Sequence, residues 1–294
     1  ISKMPSADLL RWGWRIAFLI SFVLVGVGLY IRLAVVEPPA FAELKETKTT
    51  ARLPILDALK HHPRNVLLAM GARLAENGAF YLYTVFILTY ATQPRFGFAS
   101  TTVLTAVAMA AVVELIAIPA YGLLSDFVGR RPVYLFGAVF TACFAFPFFW
   151  LVETARPGWM ILAVVLALAG GHAAMYGPQA SFFSELFGTR VRYSGASLGY
   201  QMASVLAGGL SPLIATELLR RNGTSTPIAW YIVGLSAVTT LAVFLASETS
   251  HTVITVEITQ AAKEKIEGNI VAAENATQLP RTNTETAVES SFTG

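Results

Sequence analysis

Apolar residues in this chain neither alternate nor keep to one helical face. They run on for the width of a membrane. A bilayer core of about 30 Å takes roughly 20 residues of helix to cross. Seven stretches reach that length: 16–33, 66–90, 101–124, 132–152, 159–182, 194–218 and 228–247. Each predicts a transmembrane helix. Pro119, Pro147, Gly170, Gly171, Gly177, Pro178, Gly208, Gly209 and Pro212 lie inside these runs. Soluble helices tolerate such residues poorly, whereas membrane helices accept them where neighbours satisfy the freed backbone. No alternating pattern is long enough for a barrel strand series.

Two segments do not fit a span. Residues 34–65 are polar, and within them 52–62 carries Leu53, Ile55, Leu56 and Leu59. That spacing predicts a short amphipathic helix on the membrane surface. Residues 248–294 are rich in Thr, Glu, Ala and Asn and nearly free of aromatics. They read as a disordered tail.

Composition sharpens the picture. Hydrophobic residues make up 55% of 294 and charged residues 13%, about half the share of a soluble domain. Mean hydropathy is +0.59. A wetted globular enzyme, a nucleic-acid binder and a disordered protein are all excluded by this balance. The net charge of +3 suits loops facing anionic headgroups. Cys143 is the one cysteine, so no internal disulfide or zinc ligand set is expected. The chain opens Ile-Ser-Lys without an initiator Met or a signal-peptide pattern, so a longer protein is expected.

Lys and Arg set the orientation. With the loop after Leu33 in the cytoplasm, thirteen basic residues fall inside and seven outside, Arg73 alone remaining within the membrane. Trp12, Trp14, Trp150, Trp159 and Trp230 then gather at the outer ends, as an interfacial belt. The C-terminus is cytoplasmic in this arrangement.

Two motifs carry more information. The first joins the third and fourth stretches: Gly122-Leu-Leu-Ser-Asp126-Phe-Val-Gly129-Arg130-Arg131-Pro132. The glycines allow close approach of helix ends, and Asp126 is placed to cap a helix or to pair with the arginines. An ion pair at such a corner suits a conformational switch, although an ordinary positive turn reads similarly. The spacing G-x-x-x-D-x-x-G-R-R resembles the signature loop of the major facilitator superfamily. The second motif runs from Pro178-Gln179 through Glu185, Gly188, Arg190, Arg192, Gly195 and Gly199 to Tyr200-Gln201. It resembles a junction in the metabolite:proton symporter family of that superfamily. Gly13-Trp14-Arg15-Ile16 and Tyr30-Ile31-Arg32 are similar to the family's sixth span. The resemblance covers about residues 10–250. It departs where the family usually has Pro at the position of Gly188, and often Pro after Ile16.

The resemblance implies an all-α membrane fold, spans six to twelve of a twelve-span transporter. Residues 1–33 become the last span of the N-terminal half and 34–65 the cytoplasmic central loop. Residues 66–247 become the C-terminal six-helix bundle and 248–294 the cytoplasmic tail. An N-terminal half of the same transporter is then the missing partner, and half the central cavity is absent. Gly122, Asp126, Gly129, Arg130, Arg131, Glu185, Arg190 and Arg192 are the implied switch residues.

Ionisable side chains at bilayer depth usually face a cavity or a partner. Arg73 and Glu76 lie in the second stretch, Glu114 in the third and His172 in the fifth. Arg73 suits a substrate carboxylate, because its planar fork matches that geometry. Asn77, His172, Tyr176 and Gln201 are further substrate-binding candidates. Glu76 and Glu114 are the proton-coupling candidates. Plainer roles compete. Arg73 and Glu76 at i, i+3 can simply neutralise each other. Glu114 can be buried and protonated, His172 can pack, and Tyr81, Tyr83, Tyr176 and Tyr200 can be helix-packing or interfacial groups.

The expected function is proton-coupled symport of a small organic acid or zwitterion, shikimate-like, dicarboxylate or betaine-like. It would run in the cytoplasmic membrane, as a multi-pass protein. No nucleophile–base set, metal cluster or phosphate loop is visible. The expectation is therefore no enzyme activity, no metal and no cofactor besides the proton gradient, with substrate and lipid as partners and no nucleic acid. A seven-span receptor and an inactive transporter fragment are the alternatives. A retinal protein is disfavoured, because 228–247 holds no lysine.

Overall fold

The computed structural model describes residues 8–34, 54–187 and 192–249. Every regular element among them is a helix. Helix α1 runs from a π-turn, Leu9–Gly13, into Trp14–Ala34. Helix α2 is Pro54–His61. Helix α3 is Pro63–Tyr81, continued by the π-turn Leu82–Phe86 and by Ile87–Ala91. Helices α4 and α5 are Ser100–Val128 and Arg130–Glu153. Helix α6 is Pro157–Leu166, then the π-turn Ala167–His172, then Ala173–Glu185. Helix α7 is Arg192–Ala203, then Ser204–Gly209 as a π-turn, then Ser211–Asn222. Helix α8 is Thr226–Leu245.

Each expected span is a long helix. Six of the helices are long and apolar enough to cross a membrane by composition: α1 and α4 to α8. The exception is α3. Its 29 residues give about 43 Å of rise, but Arg64, Arg73, Glu76 and two asparagines dilute its apolar content. What keeps α3 in place is packing. It is lodged between α7 and α8, with Arg73, Glu76 and Asn77 all buried. The short amphipathic helix expected over 52–62 is α2, and Pro63 opens α3 directly after it. A proline in the first helical turn gives up no intrahelical hydrogen bond. Gly188, Arg190, the loop 35–53 and residues 250–294 lie outside the described residues, and so do the calls made on them.

The bundle is built from two triplets that exchange partners. Helix α3 packs on α7 and α8, and α6 packs on α4 and α5, while α5 and α8 meet each other. The first helix of each triplet is thus clasped by the second and third helices of the other. Close approach is bought by glycine where α4 crosses α6. A Cβ on Gly177 would stand 2.7 Å from the Ile118 carbonyl oxygen and 2.8 Å from the Gly122 nitrogen. Helix α1 buries none of its apolar window.

Two apolar cores fill the bundle. One contains Tyr83, Phe86, Tyr90, Phe148, Phe149, Met160 and Ile232. The other contains Val66, Tyr134, Phe182, Phe183, Phe187 and Val243. Along α3 the second core ends at Ala75 and the first begins at Ala79. Along α6 they are separated between Leu168 and Met175. Glu76, Asn77 and His172 fall between these limits and belong to neither core, and neither does Arg73, one turn before Glu76.

A buried ionic layer as candidate functional site

The layer is assembled from α3, α4 and α6. Arg73 and Glu76 are one turn apart on α3 and form an ion pair of 2.8 Å from Nη1 to Oε2. Across from them on α6, His172 places Nε2 3.1 Å from Glu76 Oε1. The other ring nitrogen, Nδ1, lies 2.5 Å from Glu114 Oε1 on α4. All four residues are buried, between 2% and 8% exposed. Residues separated by as much as 99 positions thus form one line: Arg73, Glu76, His172, Glu114.

Neutral partners complete it. Gln179, about two helical turns from His172 along α6, accepts from Arg73 Nη1 and donates through Nε2 to Glu76 Oε2 at 3.1 Å. The same amide group donates to the Tyr134 hydroxyl at 2.8 Å, which in turn donates to the Ala72 carbonyl. Arg73 Nε donates to Ser204 Oγ at 3.4 Å. The Tyr200 ring covers the guanidinium, with its centroid 3.2 Å from Cζ. Arg73 Nη2 donates to none of the described residues and is not among the sealed, unpartnered polar atoms. This edge of the fork is open for an anion.

Local backbone irregularities position these groups. His172 ends the π-turn of α6, and Ser204 begins that of α7. Such wide turns recur at functional sites because they rotate the following residues out of register. On α8, Thr239 inserts into the backbone ladder of α3. Its hydroxyl accepts from the Ala75 N–H at 2.9 Å and donates to the Gly71 carbonyl at 2.8 Å. These are the two ends of the turn that carries Arg73. Hydroxyls intruding on a helix ladder are a recognised cause of local bending.

The sequence-derived candidates divide accordingly. Arg73, Glu76, Glu114 and His172 come together. Tyr176 stacks on the His172 ring at 5.3 Å and is 40% exposed. Asn77 is buried but packs elsewhere: a Cβ on Gly208 would stand 2.9 Å from its Oδ1. Gln201 is exposed and joins none of the hydrogen bonds of the layer. Sequence reasoning misses Gln179, Tyr134, Ser204 and Thr239, and Tyr200, expected as a helix-packing or interfacial group, lies over the Arg73 guanidinium. Only Gln179 carried a hint, since it sits seven residues after His172 on the same helical face.

A second network occupies the bundle end formed by the α4–α5 corner. Asp126 Oδ1 pairs with Arg130 Nη1 at 2.5 Å, and Glu185 Oε1 stands 3.5 Å from Arg130 Nη2. Arg130 also donates to Ser125 Oγ at 2.7 Å. Of the two roles open to Asp126, pairing is the one adopted. Capping falls to Glu248, which accepts from the backbone N–H groups of Arg130 and Arg131 at 3.0 and 3.1 Å. Gly129, at φ +110°, allows this: a Cβ there would meet the Glu248 carboxylate at 2.9 Å. Arg131 donates to the carbonyls of Val243 and Phe244 at the end of α8. Thr249 Oγ1 donates to Glu185. Residues 248 and 249, expected to begin a loose tail, are therefore fastened to the bundle. Arg192 donates to the Phe187 carbonyl at 3.4 Å.

With this geometry in hand, comparison with known proteins is decisive. The profile of the Major Facilitator Superfamily matches residues 9–212. The chain belongs to the major facilitator superfamily. It is 36% identical over 222 residues to the shikimate transporter of Escherichia coli, covering 74% of this chain and 50% of that protein. It is 32% identical over 252 residues to the inner membrane metabolite transport protein YhjE of the same organism, covering 84% and 57%. The Escherichia coli proline/betaine transporter is 30% identical over 254 residues, covering 83% and 50%. The chain spans about half the length of the curated relatives it matches. Those relatives are transporters, not enzymes.

Proposed function

We propose that this bundle forms one wall of the central cavity of a proton-coupled transporter for small carboxylate-bearing metabolites. A second helical half of the same transporter supplies the other wall. The observation that carries the reading is the buried Arg73 guanidinium: it is paired to Glu76, covered by Tyr200, and left with Nη2 open. Shikimate, proline and betaine, named for the relatives, differ in ring and amine but share a carboxylate. A guanidinium fork reads that shared group bidentately. Arg73 always carries charge, so the layer must supply it an anion at every stage. Glu76 serves when the site is empty, and substrate carboxylate takes over when Glu76 is protonated. Tyr176, exposed beside the layer, offers a ring to the rest of the molecule.

Orientation belongs to the same proposal. Arg64, Arg130, Arg131 and Arg192 lie at the α4–α5 corner end, which supports placing that end and the C-terminus in the cytoplasm, with the protein in the cytoplasmic membrane.

Uptake of radiolabelled shikimate, proline and glycine betaine by proteoliposomes of the full-length protein tests the reading. An imposed inward proton gradient should drive at least one of the three uphill. Arg73→Lys keeps the charge and loses the fork, so apparent affinity should fall by roughly tenfold or more. No gradient-driven accumulation of any of the three would overturn proton-coupled carboxylate transport.

A further inference from the structure

Resting on that reading, we infer that His172 is a proton relay that moves negative charge from Glu76 to Glu114, and so releases Arg73 for substrate. Its place between two carboxylates carries the inference. Nδ1 faces Glu114 at 2.5 Å and Nε2 faces Glu76 at 3.1 Å, and a ring held at both nitrogens by carboxyl groups has no slack for a purely packing role.

Charge counting defines the states. Arg73 brings one positive charge, and Glu76 with Glu114 bring two negative ones. The layer therefore needs one further proton to be neutral, and an unbalanced charge at this depth is expensive. That proton has two resting places related by a single concerted shift. In the first, Glu114 is protonated and hydrogen-bonded to Nδ1, the imidazole carries its own proton on Nε2, and Glu76 is the carboxylate paired with Arg73. In the second, Glu114 has given its proton to Nδ1, and Nε2 has given its proton to Glu76 Oε1. The imidazole is neutral before and after. One O–H and one N–H bond break, one N–H and one O–H bond form, and the negative charge has moved from α3 to α4. Glu76, now neutral, no longer balances Arg73. The guanidinium then draws a substrate carboxylate to its Nη2 edge, and Glu114, left as the carboxylate, takes up one proton from outside the layer, so that the charge again sums to zero.

The groups facing the ring make this shift specific. From α3 come Glu76, with Arg73 behind it, and the Phe80 ring at 4.6 Å. From α4 comes Glu114. On α6 the Tyr176 ring stacks at 5.3 Å. Tyr134 of α5 reaches the layer through Gln179, and Tyr200 of α7 through Arg73 and through Tyr176. The two aromatic rings fix the imidazole plane, and the π-turn ending at His172 fixes its height. Glu114 has exposed apolar neighbours, Val113, Leu115 and Ile116, so its carboxyl turns into the bundle while its own helix meets lipid. That makes it the terminal member of the line.

The test needs two readouts. In proteoliposomes of the full-length protein, Glu114→Gln and His172→Gln should lower the ratio of gradient-driven accumulation to equilibrium exchange by roughly tenfold or more, with the three labelled probes above. Retention of that ratio in His172→Gln overturns the relay and leaves the transport reading standing. Equal loss of exchange and accumulation in both variants also overturns it, because the imidazole would then be holding substrate. The second readout needs no substrate. In lipid nanodiscs, nitrogen-15 spectra of the histidines, four in this chain, identify His172 by the signal lost in His172→Gln. Glu114→Gln should shift its Nδ1 resonance and Glu76→Gln its Nε2 resonance. If neither moves, the relay fails whether or not any probe is transported. If both move while no probe accumulates, the relay stands and the carboxylate-transport reading falls.

Discussion

The chain carries two charge networks on the same helices, and they are built on opposite terms. Helix α4 contributes to both, with Glu114 in the layer and Asp126 at the corner, twelve residues or about 18 Å apart. In the layer, side chains of the ionic groups are 10% exposed or less. At the corner the Asp126 side chain is 49% exposed. The layer balances charge only with other side chains and a proton. The corner uses backbone as well: Glu248 sits at the start of α5, and Arg131 binds the last carbonyls of α8. Both placements also complement the helix dipoles. Arg130 and Glu185 are 12% and 15% exposed, so solvent screens this network from the Asp126 side. A network that cannot borrow water has few permitted states and can couple a proton to a ligand. A network that can borrow both water and backbone tolerates rearrangement, which is what a closing and opening end requires.

The sharpest way to break this comparison is to remove one charge from each network. Arg73→Gln leaves Glu76 and Glu114 buried without a cation, and breaking a buried pair costs about 3–5 kcal/mol. Thermal unfolding of the purified full-length protein should fall steeply. Adding Glu76→Gln to it should recover most of that loss without recovering uptake. A double variant no more stable than Arg73→Gln would mean that the pair is not what holds the layer together.

A smaller effect comes from the backbone support of the layer. Thr239→Val is nearly isosteric and removes both hydrogen bonds to the Gly71–Ala75 turn. Stability should drop by about 1–2 kcal/mol. Because that turn carries Arg73, apparent substrate affinity should weaken beyond what stability explains. Unchanged affinity in a destabilised Thr239→Val protein would reduce Thr239 to a packing residue.

Much of the fold was legible because membrane spans are written in length. Runs of apolar residues located α1 and α3 to α8, with α3 among them in spite of Arg73, Glu76 and Asn77. The chemistry was only half legible. Arg73, Glu76, Glu114 and His172 stood out because charge at bilayer depth is rare. Their order in space did not, since α4 and α6 meet α3 through tertiary packing. Gln179, Ser204 and Thr239 are neutral and common in helices, so nothing in the sequence marks them as partners. The π-turns leave no residue signature beyond glycine, which has other uses here. Composition changes just before Glu248, which places it in the tail, yet its carboxylate caps α5 through two backbone N–H groups 118 and 117 positions away.

Asp126→Asn separates the two networks most finely. The substitution keeps the shape and removes one charge. Arg130 retains Ser125 and Glu185 as partners, and an exposed pair contributes about 0–1 kcal/mol. Little change in thermal stability is therefore expected. Affinity should also hold, because sites this far apart with no shared partner are close to additive. What should change is rate. If the corner opens and closes during transport, the Asp126–Arg130 pair breaks and re-forms in each cycle, and losing it alters the balance between the two states. Turnover of the full-length protein should slow severalfold while equilibrium probe binding stays within about twofold. Weakened binding with normal turnover would place Asp126 in communication with Arg73, and the two networks would then be one.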